Sequence, residues 1–161
     1  MEKTNALRIL DSAGIKYVVR EYSPDITDGE EVAAATGTDK ERTFKTLVTE
    51  GNDLKHYVFV IPVDSVLDLK KAAKAANVKR VEMIKQKELF PLTGYVHGGC
   101  SPIGMKKKFF TVIDDTATLF DTIMLSGGRK GLQIELATGD LIAVTEGRFA
   151  EIASLKPKSV F

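Results

Sequence analysis

The chain has 161 residues, 43% hydrophobic and 28% charged, with 23 Lys and Arg against 22 Asp and Glu for a net charge of +1. This fits one globular domain over residues 1–161 and excludes a disordered chain, collagen or a coiled coil as the main state. One cysteine, Cys100, excludes an intrachain disulfide and a thiolate-built zinc site, and no apolar run suits a membrane span or a signal peptide, so a cytoplasmic protein without membrane contact is expected.

From the N-cap Thr4, Ala6, Leu7, Ile9, Leu10 and Ala13 recur at helical spacing, with Gly14 placed to end the helix. Ile15 to Tyr22 reads as a strand, broken by Ser23-Pro24-Asp25. Asp28 and Glu31 form a capping box for a short helix through Val32 to Ala35, stopped by Gly37, and a further helical piece is expected after Thr38-Asp39. Thr43 to Thr49 and His56 to Val63 are β-rich runs joined through Gly51-Asn52-Asp53, a hairpin. Ser65 to Ala76 reads as a helix on the spacing of Val66, Leu69, Ala72, Ala73 and Ala76, with Asn77 after it. Val78 to Met83 reads as a short strand, and Lys85 to Phe90 as a helical turn ended by Pro91. Phe109 to Asp114, Thr122 to Ser126 and Leu132 to Ala137 read as strands, followed by short helices around Asp140 to Val144 and Phe149 to Ala153. Helices scattered among hairpin-like strands predict a mixed sheet or small barrel with helices outside it.

The net charge hides an asymmetry. Residues 70–108 hold ten basic residues against Glu82 and Glu88, a net +8, which leaves −7 for the remainder. Such a segment suits a phosphate-binding face, and equally a solvated lysine-rich surface. Arginine is scarce within it, so bidentate base-edge readout is not signalled.

Residues for general acid–base or nucleophilic catalysis are few. His56 stands at a strand start and reads as structural; His97 stands beside a glycine pair in a polar turn. Cys100 has no Cys-His-Asp or nucleophile-elbow context and reads as a small buried residue. Two glycine loops, Gly94 to Gly104 and Ser126 to Gly131, can bring backbone N–H groups close to a ligand as an oxyanion hole or phosphate nest. Neither matches a Walker loop or a dinucleotide fingerprint, and no cofactor or metal is expected. In Arg42 to Val48 the alternation puts Phe44 on one strand face and Lys45 on the other with Leu47, so Lys45 is either at an edge or in a lined cavity.

Phe44-Lys45-Thr46-Leu47, Leu67-Asp68-Leu69-Lys70-Lys71, Gly94-Tyr95 with Gly98-Gly99-Cys100-Ser101-Pro102-Ile103-Gly104, and Ser126 to Leu132, in that order, resemble the YbaK/EbsC family. Its members are aminoacyl-tRNA deacylases related to the editing domain of bacterial prolyl-tRNA synthetase, and the chain looks most like the Cys-tRNA(Pro) deacylase branch. The resemblance implies an α+β fold, a mixed, barrel-like six- or seven-stranded sheet with surrounding helices, and trans-editing hydrolysis of the ester at the tRNA 3′ end, with prolyl-tRNA synthetase as a possible partner. It implies that Lys45 holds the substrate's 3′ end, that the Gly98 N–H meets the ester carbonyl, and that Ser126 lines the amino-acid side. Tyr22, Thr46, Gly99, Ser101, Pro102, Gly127, Gly128 and Gln133 complete the implied substrate-binding set.

In that branch the substrate's own thiol attacks the ester, which needs positioning and oxyanion stabilisation but no catalytic triad. The chain departs from the branch in two places. Asp25-Ile26-Thr27-Asp28 replaces a longer loop with an aromatic residue, and Gln133 stands where a Gly-Leu-Asp triplet has its carboxylate. The resemblance allows Cys-tRNA(Cys) as a further substrate; a deacylase with another amino-acid preference, such as Ala-tRNA(Pro), a non-catalytic tRNA- or synthetase-binding module, and a small nucleotide-binding regulator are the alternatives.

Overall fold

Runs of β-branched and aromatic residues dominate the middle of the chain, and there the backbone forms a seven-residue antiparallel register between β2 (Phe44–Gly51) and β3 (His56–Pro62), from Phe44 opposite Pro62 to Glu50 opposite His56. The computed structural model describes residues 2–157. β5 (Val81–Met83) pairs with the far end of β2, β6 (Phe110–Asp114) runs parallel to β3, and β9 (Arg148–Ala150) parallel to β6. The resulting five-stranded sheet has the order β5-β2-β3-β6-β9.

A second sheet places β8 (Leu132–Ala137) between β1 (Tyr17–Glu21) and β7 (Thr122–Ser126), all antiparallel. A single parallel bridge, Thr43 to Met124, joins it to the start of β2, with the Met124 N–H donating to Arg42 O at 2.8 Å. β4 (Ser65–Leu67) and β10 (Ala153–Leu155) make a two-stranded ribbon. The mixed α+β class is as expected. The strands, however, divide into sheets of five, three and two, and among the described residues they close no barrel and form no single six- or seven-stranded sheet.

Two apolar layers flank the large sheet. On one face Phe44, Val60 and Ile113 meet Leu125, Leu132, Ile134 and Leu136 of the small sheet and Leu7 and Leu10 of α1 (Asn5–Ser12). On the other, Phe59, Ile61 and Val112 pack against Ala72, Ala73 and Ala76 of α3 (Leu69–Ala76). Thr4 caps α1 by accepting from the Leu7 N–H, and its hydroxyl donates to Gly127 O, tying that helix to the second glycine loop. α2 (Gly29–Thr36) is capped by Asp28, which accepts from the Glu31 N–H, and ends on left-handed Gly37.

Several elements differ from their sequence-based expectation, each for a local reason. Thr38 to Arg42 is a hydrogen-bonded turn, Arg42 N–H to Asp39 O, and forms no helix. Ser65 to Leu67 is strand because β10 pairs with it; α3 starts only after Asp68, whose carboxylate accepts from the Lys70 and Lys71 N–H groups, and Val66 and Leu69 are exposed. α4 (Gln86–Thr93) runs through Pro91 and stops at Gly94, φ +85°.

The segment expected as a helix around Phe149 to Ala153 is instead β9 and the start of β10. The buried Asp114 carboxylate accepts from the Ile152 and Ala153 N–H groups at 3.0 and 3.1 Å, which removes them from any helical ladder. α5 (Thr138–Thr145) matches its expected position. Among the described residues no helix is long and apolar enough to cross a membrane.

Candidate active site

The start of β2 has one partner strand where its end has two. The Val63 N–H donates to Thr43 O and the Gly51 N–H to Lys55 O, so the odd-numbered residues of β2 bond across to β3. By that alternation the backbone of Thr46 faces the other way, into the gap between the Thr43 bridge and the β5 pairing that begins at Thr49. A cavity of about 270 Å³ fills this gap, and five consecutive residues, Thr43 to Leu47, line it from both strand faces.

The other walls come from distant segments. Tyr22 follows β1, and Thr27, Asp28 and Gly29 make the turn into α2. Leu89 comes from α4, Leu125 and Ser126 from the end of β7, and Gln133 from β8. His97, Gly98 and Cys100 enter from the first glycine loop.

Lys45 is half-buried in this wall. Burial lowers its pKa from the ordinary lysine value and nearby Lys156 lowers it further, against the opposing pull of Asp28, Glu30 and Asp64. Among the described residues no carboxylate lies within ion-pair distance of its ammonium. Thr46 Oγ1 and Gln133 Oε1 are buried without a hydrogen-bond partner among the described residues, although the Gln133 amide nitrogen reaches Thr38 Oγ1 at 3.5 Å. A buried polar atom left unpaired costs about 1–3 kcal/mol, and two on one cavity mark where a ligand's polar atoms would bond.

Gly98 and Gly99 have different jobs. Gly98 has φ +85°, and a Cβ there would stand 2.9 Å from Thr27 Cγ2; no acceptor among the described residues takes its N–H. Gly99 faces away from the cavity, where a Cβ would come within 2.8 Å of the Arg129 and Lys130 backbone, and its N–H donates to Val96 O. The two glycine loops, 30 residues apart in sequence, therefore pack backbone to backbone. Ser126 stays on the cavity, its hydroxyl accepting from the Gly128 N–H at 3.1 Å.

Of the residues singled out from sequence, Tyr22, Lys45, Thr46, Gly98, Ser126 and Gln133 line the cavity together. Gly99, Ser101, Pro102, Gly127 and Gly128 stand outside its lining. Ser101 is fully buried and accepts from the Ile103 N–H; Pro102 lines a separate hollow with Lys107 and Lys108; a Cβ on Gly127 or Gly128 would meet Leu132 or Thr4. Leu89 and Leu125, also on the cavity, carry no signal in the sequence, and Phe44 stands there as the apolar neighbour of Lys45 in its motif. Thr27 stands in the altered Asp25 to Asp28 stretch, and its own place is visible only once Gly98 is seen against it.

Among the described residues the cavity holds no hydrogen-bonded pair of nucleophile and base. Cys100 is buried, and desolvation pushes its thiol up to about 12, with only a Thr93 hydrogen bond opposing. His97 is exposed at the rim. Such a site can bind, orient and stabilise charge, the work of a domain that positions a reactive ligand.

That class has a family. The sequence model described as "Aminoacyl-tRNA editing domain" matches residues 23–144, and the chain belongs to this family. It is 46% identical over 155 residues, 95% of this chain and 94% of the other, to an Enterococcus faecalis (strain ATCC 700802 / V583) protein provisionally named Cys-tRNA(Pro)/Cys-tRNA(Cys) deacylase EbsC. Two crystal structures share the fold at 23% identity. One, of a protein described only as hypothetical, has a TM-score of 0.86 over 94% of this chain and 100% of that one. The other, titled provisionally as a trans-editing enzyme for prolyl tRNA synthetase, has a TM-score of 0.82 over 96% and 99%.

Proposed function

We propose that the chain is a single editing domain over residues 1–161 that hydrolyses mischarged aminoacyl-tRNA in trans, with Cys-tRNA(Pro) as its substrate. The observation that carries this is a cavity with one half-buried lysine and, among the described residues, a glycine N–H that no acceptor takes and no activated nucleophile: the Cys100 thiol, at about 12, is protonated at neutral pH. The name of the E. faecalis relative supports the substrate class.

Lys45 holds the 3′-terminal group by charge, and the Gly98 N–H donates to the ester carbonyl oxygen as negative charge gathers there. The substrate's thiol sulfur bonds to its own carbonyl carbon, the ester C–O bond breaks, and the thiol proton ends on the leaving ribose oxygen. The products are a four-membered thiolactone, which water then opens, and uncharged tRNA. Holding sulfur and carbonyl at reacting distance supplies the acceleration, which is why no triad is needed. Gln133, Thr46 and Ser126 supply neutral polar contacts to the aminoacyl group.

The test is deacylation of Cys-tRNA(Pro) and Ala-tRNA(Pro) by pure protein. Cys-tRNA(Pro) is cleaved with transient thiolactone under this reading. Cleavage of Ala-tRNA(Pro) alone requires water as nucleophile and overturns the thiol-assisted step. Binding without cleavage of either leaves a non-catalytic tRNA-binding module.

A further inference from the structure

Phe90 is the one phenylalanine or tyrosine among the described residues whose side chain stands exposed, with 56% of its surface open. It is on α4 directly after Leu89, which lines the cavity, so one residue step leads from the cavity wall to the outer surface of the same helix. The Lys106 ammonium sits 5.3 Å from the Phe90 ring centroid and donates to Pro91 O at 3.2 Å, which fixes a cation beside the ring. Lys87, three residues before Phe90, shares its helix face, and Lys85 precedes the helix. Among the described residues none of these three lysines pairs with a carboxylate, and Glu88 is the single acid within α4.

The stretch that brings α2 to the cavity has the other sign. Asp28 lines the cavity, and Glu30 and Glu31 follow in the first turn of α2, with Lys156 pairing only Glu30, at 3.6 Å. A polyanion with its end in the cavity is repelled at the α2 stretch and attracted at the α4 lip.

We infer that the α4 lip, with Phe90 as a stacking platform and Lys87 and Lys106 as phosphate contacts, is the track for the single-stranded RNA nucleotides that precede the terminal residue held in the cavity. This rests on the tRNA reading above. An exposed ring flanked by cations is what unpaired nucleotides use: the ring stacks on a base whatever its identity, and the cations meet the backbone. Leu54, Leu119 and Leu155 are more exposed, but among the large apolar side chains exposed in the described residues Phe90 is the one with an aromatic face to offer a base, and a cation is held against it.

The experiment measures binding of a 5′-fluorescein ACCA tetraribonucleotide, together with hydrolysis of cysteinyl-tRNA(Pro) and of cysteinyl-adenosine, which lacks the preceding nucleotides. Phe90→Ala is expected to weaken tetranucleotide binding about tenfold and Phe90→Trp to restore it. The same Ala variant raises KM for the tRNA about tenfold, with kcat and the cysteinyl-adenosine rate unchanged. Lys87→Gln lowers the slope of log affinity against log salt by about 0.7.

Unchanged tetranucleotide binding by Phe90→Ala, equal loss on both esters, or equally tight binding of a duplex of the same length overturns the assignment. If the wild-type protein cleaves neither ester, the deacylase reading fails on its own, and the tetranucleotide measurement still decides the RNA track.

Discussion

The two halves of β2 are continuous in one strand, yet they do different work. Thr49 to Gly51 is paired on both sides, and the Thr49 hydroxyl is buried on Tyr57 O at 3.0 Å. Phe44 to Leu47 is paired on β3 alone, and its open side is the cavity. What separates a structural half-strand from a functional one is the reach of β5 and β7, which stop short of each other. Polar residues in the closed half find partners within the fold, whereas among the described residues Lys45 has no ion-pair partner and the Thr46 hydroxyl no hydrogen-bond partner.

Substitutions along and around the strand can break or sharpen that contrast. Lys45→Ala has the largest expected effect, a fall of at least about a hundredfold in Cys-tRNA(Pro) deacylation with an unchanged circular dichroism spectrum; wild-type activity would remove the open half's role. The same site carries a stability signature. Because folding lowers the lysine's pKa, the folded state binds that proton more weakly than the unfolded chain. The cost is present below the folded pKa and vanishes as pH rises to about 10.5. Lys45→Met should therefore melt above wild type at pH 7, with the gap narrowing as pH rises towards 10.5.

Gly98→Ala comes next, with activity falling about tenfold or more through loss of the N–H geometry, since the new Cβ meets Thr27 and the φ is left-handed. Thr49→Val, in the closed half, should cost about 1 kcal/mol in urea denaturation and leave the deacylation rate unchanged. The smallest effect is expected for Cys100→Ala, which stays folded and active because the thiol is protonated; a dead but folded variant would move the nucleophile from substrate to enzyme.

The sequence disclosed the elements whose signal is local. The β2–β3 hairpin follows from two β-branched runs, α1 and α2 stand where spacing and capping residues put them, and α5 stands at its expected place. It concealed those decided by distant partners: Ser65 to Leu67 reads as a first helical turn until β10 is seen beside it, and Phe149 to Ala153 until Asp114 takes two of its N–H groups. Pro91 misleads because a proline ends most helices but not this one.

At the site, Lys45 was marked by its odd place on an apolar strand, whereas the pairing of Gly98 with the cavity and of Gly99 with the other loop depends on what each touches. Motif order drew both glycines and their neighbours into one set. Side-chain surroundings, invisible in one dimension, divide that set between cavity and scaffold.

The pairing of β1 with β8 sets Tyr17 opposite Leu136, and through it Tyr22 shares a cavity with Gln133. Contacts that far apart in the chain are made late, after the local hairpin and helices, because the intervening loop must close first. During synthesis the hairpin can form as soon as its residues emerge, but the cavity has no far wall until β8 has been translated. The nascent chain thus carries no working site until β8 has emerged, even though the hairpin that supplies one wall is in place much earlier.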